Sequence, residues 1–197
     1  MDAPPPTSYP LRFAVDYPDR PLSRLTTAFR PFVVIPIAIV LCAVTNASGG
    51  LLVLAPALMI VFRQKYPRWW FDFNRELLRF SNRIWAYALL MDDRYPSTDE
   101  EQYAHLDVGY PDVPRELNRW LPIVKWFLAI PHFVVLAFLW IGVVVAVIAA
   151  WFAILFTGRY PRVLFDFVEG VLRWGNRVVA YCALLVTDRY PPFRLAE

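Results

Sequence analysis

Charged residues are almost absent from two long stretches of the chain. Residues 31–62 contain no Asp, Glu, Lys or Arg, and residues 121–156 contain only Lys125. A helix rises about 1.5 Å per residue and the hydrocarbon core of a bilayer is about 30 Å thick. Because each stretch is too long for one helical crossing, we expect each to fold as a helical hairpin that is transmembrane or deeply inserted.

The predicted hairpins differ at their tips. Residues 46–50 form a turn-favouring Asn-Ala-Ser-Gly-Gly cluster, whereas the second stretch has only Gly142 near its middle as a possible bend. Both tips, residues 46–50 and about 140–143, lack Lys and Arg, and the basic residues lie at or near the hairpin bases. The positive-inside rule then predicts that both termini and the segment between the stretches are cytoplasmic, with Lys125 snorkelling to that surface.

A second pattern follows each apolar stretch, from about residue 67 to 91 and from about 161 to 186. Charged residues recur there at intervals of three and four: Asp72, Arg75, Glu76, Arg79 and Arg83 in the first segment, and Asp166, Glu169, Arg173 and Arg177 in the second. This spacing predicts an amphipathic helix at the membrane interface, with its polar stripe toward the cytoplasm. Residues 84–91 and 178–186 are uncharged, and periodicity leaves helix and strand open for them.

The two patterns form one module that occurs twice. Tyr-Pro-Arg at residues 66–68 returns at residues 160–162, and Phe-Asp-Phe at residues 71–73 returns at residues 165–167, both at an offset of 94 residues. Seven of the ten tyrosines precede a proline, at the edges of these segments. The chain is therefore predicted to be a tandem repeat.

The repeat sets the predicted domain organisation. Residues 1–96 form repeat 1, with a hairpin at about 22–62 and an interfacial helix at about 67–91. Residues 97–197 form repeat 2, with a hairpin at about 114–157 and an interfacial helix at about 161–186. Alternating residues at 11–16 and 103–108 predict short extended segments on the cytoplasmic surface.

The composition agrees with a membrane protein. Apolar residues make up 58% of the chain and charged residues 19%, whereas soluble domains have about 45–50% and about 25%. The predicted fold class is a mainly α integral membrane protein. Neither Cys42 nor Cys182 has a sequence reason to pair with the other, so a redox or metal role is not expected.

Four motifs of the second copy point to a known family. They are Leu-Pro-Ile-Val-Lys-Trp at residues 121–126, Ile-Pro-His at 130–132, Thr-Gly-Arg-Tyr-Pro-Arg at 157–162 and Thr-Asp-Arg-Tyr-Pro-Pro-Phe at 187–193. With them, residues 108–193 closely resemble the domain of unknown function 4389 family of small prokaryotic membrane proteins. Residues 15–96 resemble it more weakly, with Arg-Gln-Lys at residues 63–65 in place of Thr-Gly-Arg. The resemblance implies a multi-pass protein of the prokaryotic inner (plasma) membrane, and it carries over no catalytic or binding residue.

Candidate catalytic chemistry is sparse. His105 and His132 have no Cys or carboxylate at ligand spacing, so neither a metal nor a cofactor is expected. An intramembrane histidine is a functional candidate, but for His132 we favour a hydrogen bond to a backbone carbonyl freed by Pro131 or Pro36. Asp72 and Asp166 occupy equivalent positions and suggest an acid–base pair, yet pairing with arginines of their own helices is favoured. No catalytic residue is assigned.

Four arginines are the candidate binding residues. Arg79 with Arg83, and Arg173 with Arg177, place like charges one helical turn apart, which costs stability unless an anion lies between them. A phospholipid phosphate is the obvious anion at the membrane interface, so we predict that these four residues bind lipid headgroups. Pairing with acidic residues of the other repeat is the alternative.

Three functions remain open. The first is a non-enzymatic membrane protein that serves as an accessory or scaffold subunit of a membrane complex. Its expected partners are phospholipids and either another protein or a second copy, and no nucleic acid. The second is a wedge protein that shapes membrane curvature, and the third is a transporter or lipid-modifying enzyme with a site between the repeats. Full spans favour a complex subunit, whereas shallow insertion favours curvature.

Overall fold

The computed structural model of the chain describes residues 9–47, 50–97 and 103–196. Within these residues the protein is mostly helical, with one small sheet. Its elements are β1 (Leu11–Val15), α1 (Arg24–Ala47), α2 (Leu51–Arg63), α3 (Arg68–Ala88), β2 (Ala104–Val108), α4 (Val113–Glu116), α5 (Leu121–Leu128), α6 (Ile130–Thr157) and α7 (Arg162–Cys182).

The apolar stretch of repeat 1 is interrupted where the sequence predicts. Helix α1 ends at Ala47 and α2 begins at Leu51, after Gly50, whose φ of 78° requires the left-handed conformation that glycine favours. Ser48 and Gly49 lie outside the described residues. Helix α1 packs more on α3 and α6 than on α2.

The predicted hairpin of repeat 2 is wrong. Helix α6 runs unbroken through the expected tip at residues 140–143. A single glycine costs about 1 kcal/mol in a helix interior but does not end a helix without turn-forming neighbours. Gly142 instead faces α7, where an added Cβ would lie 3.2 Å from the ring of Phe167. It therefore allows close packing of α6 on α7 and not a bend.

The two amphipathic segments are helices, as predicted. The helices α3 and α7 extend to Ala88 and Cys182, which settles most of residues 84–91 and 178–186 as helix. Shortly after each end, Leu90 and Leu185 adopt positive φ values of 68° and 58°. These leucines occupy equivalent positions, so both repeats end the helix with the same left-handed turn.

The sheet joins the two repeats. Strand β1 from repeat 1 pairs antiparallel with β2 from repeat 2, with Phe13 opposite Leu106. The alternate residues of both strands are buried, as the alternating pattern predicts. Each strand packs on the amphipathic helix of the opposite repeat, β1 on α7 and β2 on α3. The other sides of these helices pack on the apolar layer, α3 on α1 and α7 on α6. The fold thus has three layers, and each repeat is completed by the other.

Helix α6 has one buried and one exposed face over its whole length. The buried face contains His132, Leu136, Val143, Ala146, Ala150 and Ile154. The exposed face is apolar throughout and contains Ile130, Val134, Phe138, Ile141, Val145, Ile148, Phe152 and Phe156. By length and composition, the segments Arg24–Arg63 and Leu121–Thr157 are both able to cross a membrane.

Candidate functional site

The centre of the repeat interface is a pair of buried asparagines. The Nδ2 atom of Asn82 donates to Oδ1 of Asn176 at 2.8 Å, and Nδ2 of Asn176 donates back to Oδ1 of Asn82 at 2.7 Å. Each amide also donates to its own helix, Asn82 to the carbonyl of Leu78 and Asn176 to that of Leu172. Because the two residues are equivalent in the repeat, a pseudo-two-fold axis passes between them.

The first arginine of each predicted pair crosses to the strand contributed by the other repeat. Arg79 Nε donates to the carbonyl of Leu106 at 3.0 Å, and Arg173 Nε donates to that of Phe13 at 2.9 Å. Phe13 and Leu106 are opposite each other in the sheet. Each guanidinium also pairs with a glutamate one turn earlier on its own helix, Glu76 or Glu169. Both arginines therefore fasten a strand to a helix.

The second arginine of each pair is buried. Arg83 Nη1 donates to the carbonyl of Ser97 at 2.9 Å, and Arg177 donates to the carbonyls of Arg194 and Ala196 at 3.1 and 2.7 Å. In both repeats the guanidinium holds the segment that follows the helix. These contacts satisfy several guanidinium donors with protein oxygens.

The polar stripe of α3 and α7 thus differs in its environment from the sequence prediction. The sheet and the segments after each helix cover the arginine end of the stripe. Glu76 and Asp166, nearer the start of each helix, remain exposed. Inter-repeat pairing does occur at Arg79 and Arg173, but the partners are backbone carbonyls and not acidic residues. Lipid-headgroup binding at the four arginines stays a prediction.

Tyrosines form a second set of symmetric contacts, which were not predicted from the sequence. The hydroxyl of Tyr17 donates to the carbonyl of Tyr160 at 2.5 Å, and that of Tyr110 donates to the carbonyl of Tyr66. The guanidiniums of Arg162 and Arg68 lie over the rings of Tyr17 and Tyr110, respectively. All four tyrosines belong to the repeated Tyr-Pro dipeptides. The repeat therefore marked these residues in the sequence, but it did not indicate which tyrosine contacts which.

Two further tyrosines act on the helices that carry the arginines. The hydroxyl of Tyr103 donates to the carbonyl of Arg83 at 3.1 Å, and that of Tyr9 donates to the carbonyl of Arg177 at 3.2 Å. Burial raises the pKa of both phenols well above the ordinary value. They remain neutral donors at physiological pH. Tyr9 and Tyr103 are 94 residues apart, which is the offset of the repeat. This spacing was the one indication in the sequence that they have equivalent roles.

The apolar layer holds two buried cations at matching places. Lys125 donates to the carbonyl of Thr187 at 2.7 Å and pairs with Asp188 at 2.8 Å. Arg30 donates to the carbonyls of Tyr87 and Asp92 at 3.2 and 2.5 Å. The expectation that Lys125 snorkels to the surface is wrong, because its side chain is fully buried against these partners.

The Asp-Asp departure of repeat 1 has a local explanation. Asp92, which stands where repeat 2 has Thr187, accepts a hydrogen bond from the backbone N–H of Arg94 at 2.8 Å. The hydroxyl of Thr187 accepts the equivalent bond from Arg189 at 3.1 Å. The extra charge of Asp92 is balanced by Arg20 and Arg94, and the hydrogen bond to this carboxylate raises the pKa of Arg94.

His132 lies in an aromatic enclosure. Its Nδ1 accepts a hydrogen bond from Trp174 Nε1 at 3.1 Å, and its ring stacks on Phe193 at a centroid distance of 4.1 Å. Both carbonyl partners favoured from the sequence are therefore wrong. An indole donor 42 residues away pairs with Nδ1, and Nε2 has no hydrogen-bond partner among the described residues. Nothing in the local sequence indicates the indole donor.

The repeated carboxylates pair within their own helices. Asp72 lies 3.2 Å from Arg75, and Asp166 lies 3.2 Å from Arg162. The favoured intrahelical pairing is confirmed, and the two aspartates form no joint site. In the ranges that the structure describes, no three His, Cys, Asp or Glu side chains are grouped as a metal ion requires.

Comparison with known proteins gives one result at the level of the family. The family model described as "Domain of unknown function (DUF4389)" matches residues 24–98 and 121–194, one match in each repeat. No curated protein and no solved structure matches the chain. The tandem arrangement and the resemblance noted from the motifs are thereby confirmed.

Proposed function

The chain belongs to the DUF4389 family, and on this premise we propose that it is a non-enzymatic membrane protein that inserts into one leaflet of a bilayer and shapes that leaflet as a wedge. The observation that carries the proposal is the exposed apolar face of α6. It has no interruption from Ile130 to Phe156.

The exposed apolar surface supports insertion. Phe138 and Phe156 of α6 are 69% and 77% exposed, and Phe32 of α1 and Phe62 of α2 are 70% and 75% exposed. Soluble monomers rarely expose contiguous apolar patches larger than a few hundred Å². A bilayer removes the face of α6 from water at no cost in polar groups, because this face contains none from Ile130 to Phe156.

The contacts of α6 with α7 favour an in-plane placement over a crossing. His132 near the start of α6 meets Trp174, and Gly142 further along meets Phe167, so α7 runs antiparallel beside it. A crossing by α6 would carry part of α7, with its charged residues, into the hydrocarbon. Each such charge costs at least about 2.5–3.5 kcal/mol at the bilayer centre.

Both ends of α6 also contact the polar part of the protein. Near the C-terminal end of α6, the indole N–H of Trp151 donates to the carbonyl of Thr27 at 3.1 Å. Just after this end, the carbonyl of Gly158 accepts a hydrogen bond from the backbone N–H of Leu22 at 2.8 Å. At the other end, Lys125 in the preceding helix α5 pairs with Asp188. A helix with both ends at the polar layer is expected to lie along the membrane surface.

Exposed cations stand where headgroups would be in this placement. Arg24, Arg63, Arg119 and Arg159 flank the apolar helices and are exposed. Near an anionic surface each basic residue contributes about 1 kcal/mol of attraction. Helices buried only to acyl-chain depth in one leaflet expand that leaflet selectively, which is the basis of the wedge role.

The placement is tested by labelling both flanks of α6. Arg119→Cys and Arg159→Cys are made separately in a chain that lacks Cys42 and Cys182, and sealed vesicles of each orientation are treated with a membrane-impermeant maleimide. The proposal predicts that both positions react from the same, cytoplasmic, side. Reaction from opposite sides would show that α6 crosses the membrane.

The wedge activity is tested on anionic liposomes. Adding the purified protein is expected to convert them into tubules or small vesicles under the electron microscope. Phe138→Ser with Ile141→Ser should abolish the effect because it removes apolar area from the inserted face. Asp72→Ser with Glu76→Ser, on the polar helix α3, serves as the control and should leave it intact. Unchanged liposomes with the parent protein would refute the role.

An accessory or scaffold role in a larger complex is the second candidate. It is favoured by the last turns of α1, because residues 42–46 are all exposed in the described chain. A protein partner or a second copy would cover these turns. Extraction of the protein from native membranes in mild detergent, followed by mass measurement, should then recover a stoichiometric complex.

A further inference from the structure

A pocket of about 470 Å³ lies between α3, α6 and α7. Leu78 and Trp85 contribute from α3, Phe133 and Trp140 from α6, and Val171 from α7. Small-molecule sites have volumes of about 300–1,000 Å³ and mostly apolar walls with a few polar groups. Both features are present here.

The pocket exists because the two repeats are not packed alike. The second half of α1 is the repeat counterpart of the first half of α6, because Ile35 and Pro36 match Ile130 and Pro131. No residue of α1 lines the pocket. The last turns of α1, residues 42–46, are exposed. In repeat 2, α6 packs beside the amphipathic helix α7. The corresponding space beside α3 in repeat 1 is not filled by α1 and forms the pocket.

The mouth of the pocket belongs to the face proposed to lie in the leaflet. Trp85 and Phe133 are 44% and 49% exposed, and Phe133 stands beside the exposed apolar residues of α6. Trp85 and Trp140 contact each other with ring centroids 5.2 Å apart. A molecule that enters from the bilayer would meet only aromatic and aliphatic side chains at this mouth.

The polar wall is the Asn82–Asn176 pair. Both hydrogens of each amide group are used, one on the other asparagine and one on a carbonyl of its own helix. Each Oδ1 accepts one of these bonds, and an amide oxygen has two lone pairs. The pair therefore offers a ligand hydrogen-bond acceptors and no donors, while the hydroxyl of Ser81 in the same wall can serve as either.

We infer that the pocket binds an apolar molecule from the bilayer that carries a hydroxyl group, the class of long-chain alcohols and acylglycerols. The hydroxyl donates to Oδ1 of Asn82 or Asn176, and the chain lies against the aromatic residues of the mouth. An apolar molecule without a donor leaves the second lone pair of each Oδ1 without a hydrogen bond. The inference rests on the proposed function for the source of the ligand.

Gly175 allows the pocket to be closed without disturbing the backbone. It lines the pocket on α7, and a Cβ built there meets no atom within 4 Å. Its φ is an ordinary helical value, since it is not among the residues with positive φ. Gly175→Phe thus places a ring in the cavity. Ser81→Met, at the equivalent position on α3, is a second way to fill the same space.

The test measures retention of radiolabelled oleyl alcohol by the full chain purified in detergent micelles. Unlabelled oleyl alcohol, dioleoylglycerol and oleyl methyl ether compete for the site, and the ether lacks only the donor. The expected result is that the alcohol competes about 3- to 10-fold better than the ether, the value of one net hydrogen bond. Competition by dioleoylglycerol as strong as that by oleyl alcohol would indicate that the natural ligand is a lipid. Competition by oleyl alcohol alone would indicate a free alcohol.

The variants decide the location. Gly175→Phe and Ser81→Met should each lower retention at least about tenfold, whereas Val145→Phe, on the exposed face of α6 outside the pocket, should retain as much as the parent. Equal competition by alcohol and ether would overturn the inference. So would full retention by both pocket variants with an unchanged melting temperature. Because the protein is in micelles, these results do not depend on whether α6 lies in the plane of a membrane.

Discussion

The Asn82–Asn176 pair gives the sharpest prediction about stability. Replacing either residue by leucine removes three hydrogen bonds and leaves the partner's Oδ1 and one N–H without a contact in a buried place. Replacing both by leucine leaves no polar group behind. The four proteins form a double-mutant cycle at one point of the repeat interface.

The magnitudes follow from the cost of unpaired polar groups. A buried donor or acceptor left without a partner costs about 1–3 kcal/mol. Two such groups remain after each single substitution, partly offset by the apolar burial of leucine, so each is expected to lose about 2–4 kcal/mol of unfolding free energy. The double variant should lie within about 1 kcal/mol of the parent, since replacing both partners by apolar groups of similar shape is nearly neutral.

Reversible denaturation in detergent micelles, followed by tryptophan fluorescence, measures all four proteins. The symmetry of the contacts also requires that Asn82→Leu and Asn176→Leu cost similar amounts. If the double variant lost the sum of the two single losses, the residues would be acting independently. The reciprocal pairing would then not be what holds the two helices together.

Three further predictions concern buried groups. Asp188→Asn should lower the melting temperature more than Lys125→Met, because asparagine leaves the buried ammonium without its counter-ion whereas methionine leaves no buried cation. Burial raises the pKa of Tyr66 to about 12. The contribution of Tyr66 to the free energy of unfolding is therefore full below about pH 10, where the unfolded phenol titrates, and is lost as the pH rises through 12. Chemical denaturation at pH 8 to 12 should show this loss, and the Tyr66→Phe variant should show less of it. Burial also raises the pKa of the Cys182 thiol to about 11, so a water-soluble maleimide should not label it at pH 7. The same reagent should label the exposed Cys42 in detergent, and in vesicles it should label neither cysteine. Rapid labelling of Cys182 would contradict its burial.

The sequence predicted the elements better than their connections. The three- and four-residue spacing of Asp72, Arg79 and the residues between them is sufficient to define α3, and the same pattern defines α7. The repeat offset also pointed to equivalent roles for Arg79 and Arg173. Their partners were not predictable, because a backbone carbonyl on a strand of the other repeat has no side-chain signature in the sequence.

The error in repeat 2 has a physical origin. Length and hydropathy indicate how much apolar helix is present, but they do not indicate how a helix is oriented in the bilayer. Residues 121–156 were predicted to be too long for one crossing, and a bend was inferred from that excess. Helix α6 instead continues unbroken through the expected bend. A straight helix in the plane of one leaflet would be formed by the same residues. In such a helix, only the face opposite His132 and Leu136 contacts lipid. Both faces are apolar, so periodicity alone does not distinguish this helix from one that lipid surrounds on all sides.

The in-plane placement of α6 is tested most directly by the depth of spin labels along its exposed face. Nitroxides are attached singly at Val134, Ile141, Ile148 and Phe156 in anionic vesicles, and their accessibilities to oxygen and to a water-soluble nickel complex are compared. The account predicts that all four labels lie at similar, shallow depths in the acyl region. A profile deepest at the middle positions and shallow at both ends would show that α6 crosses the bilayer, and access of the nickel complex to all four would show that it is not inserted.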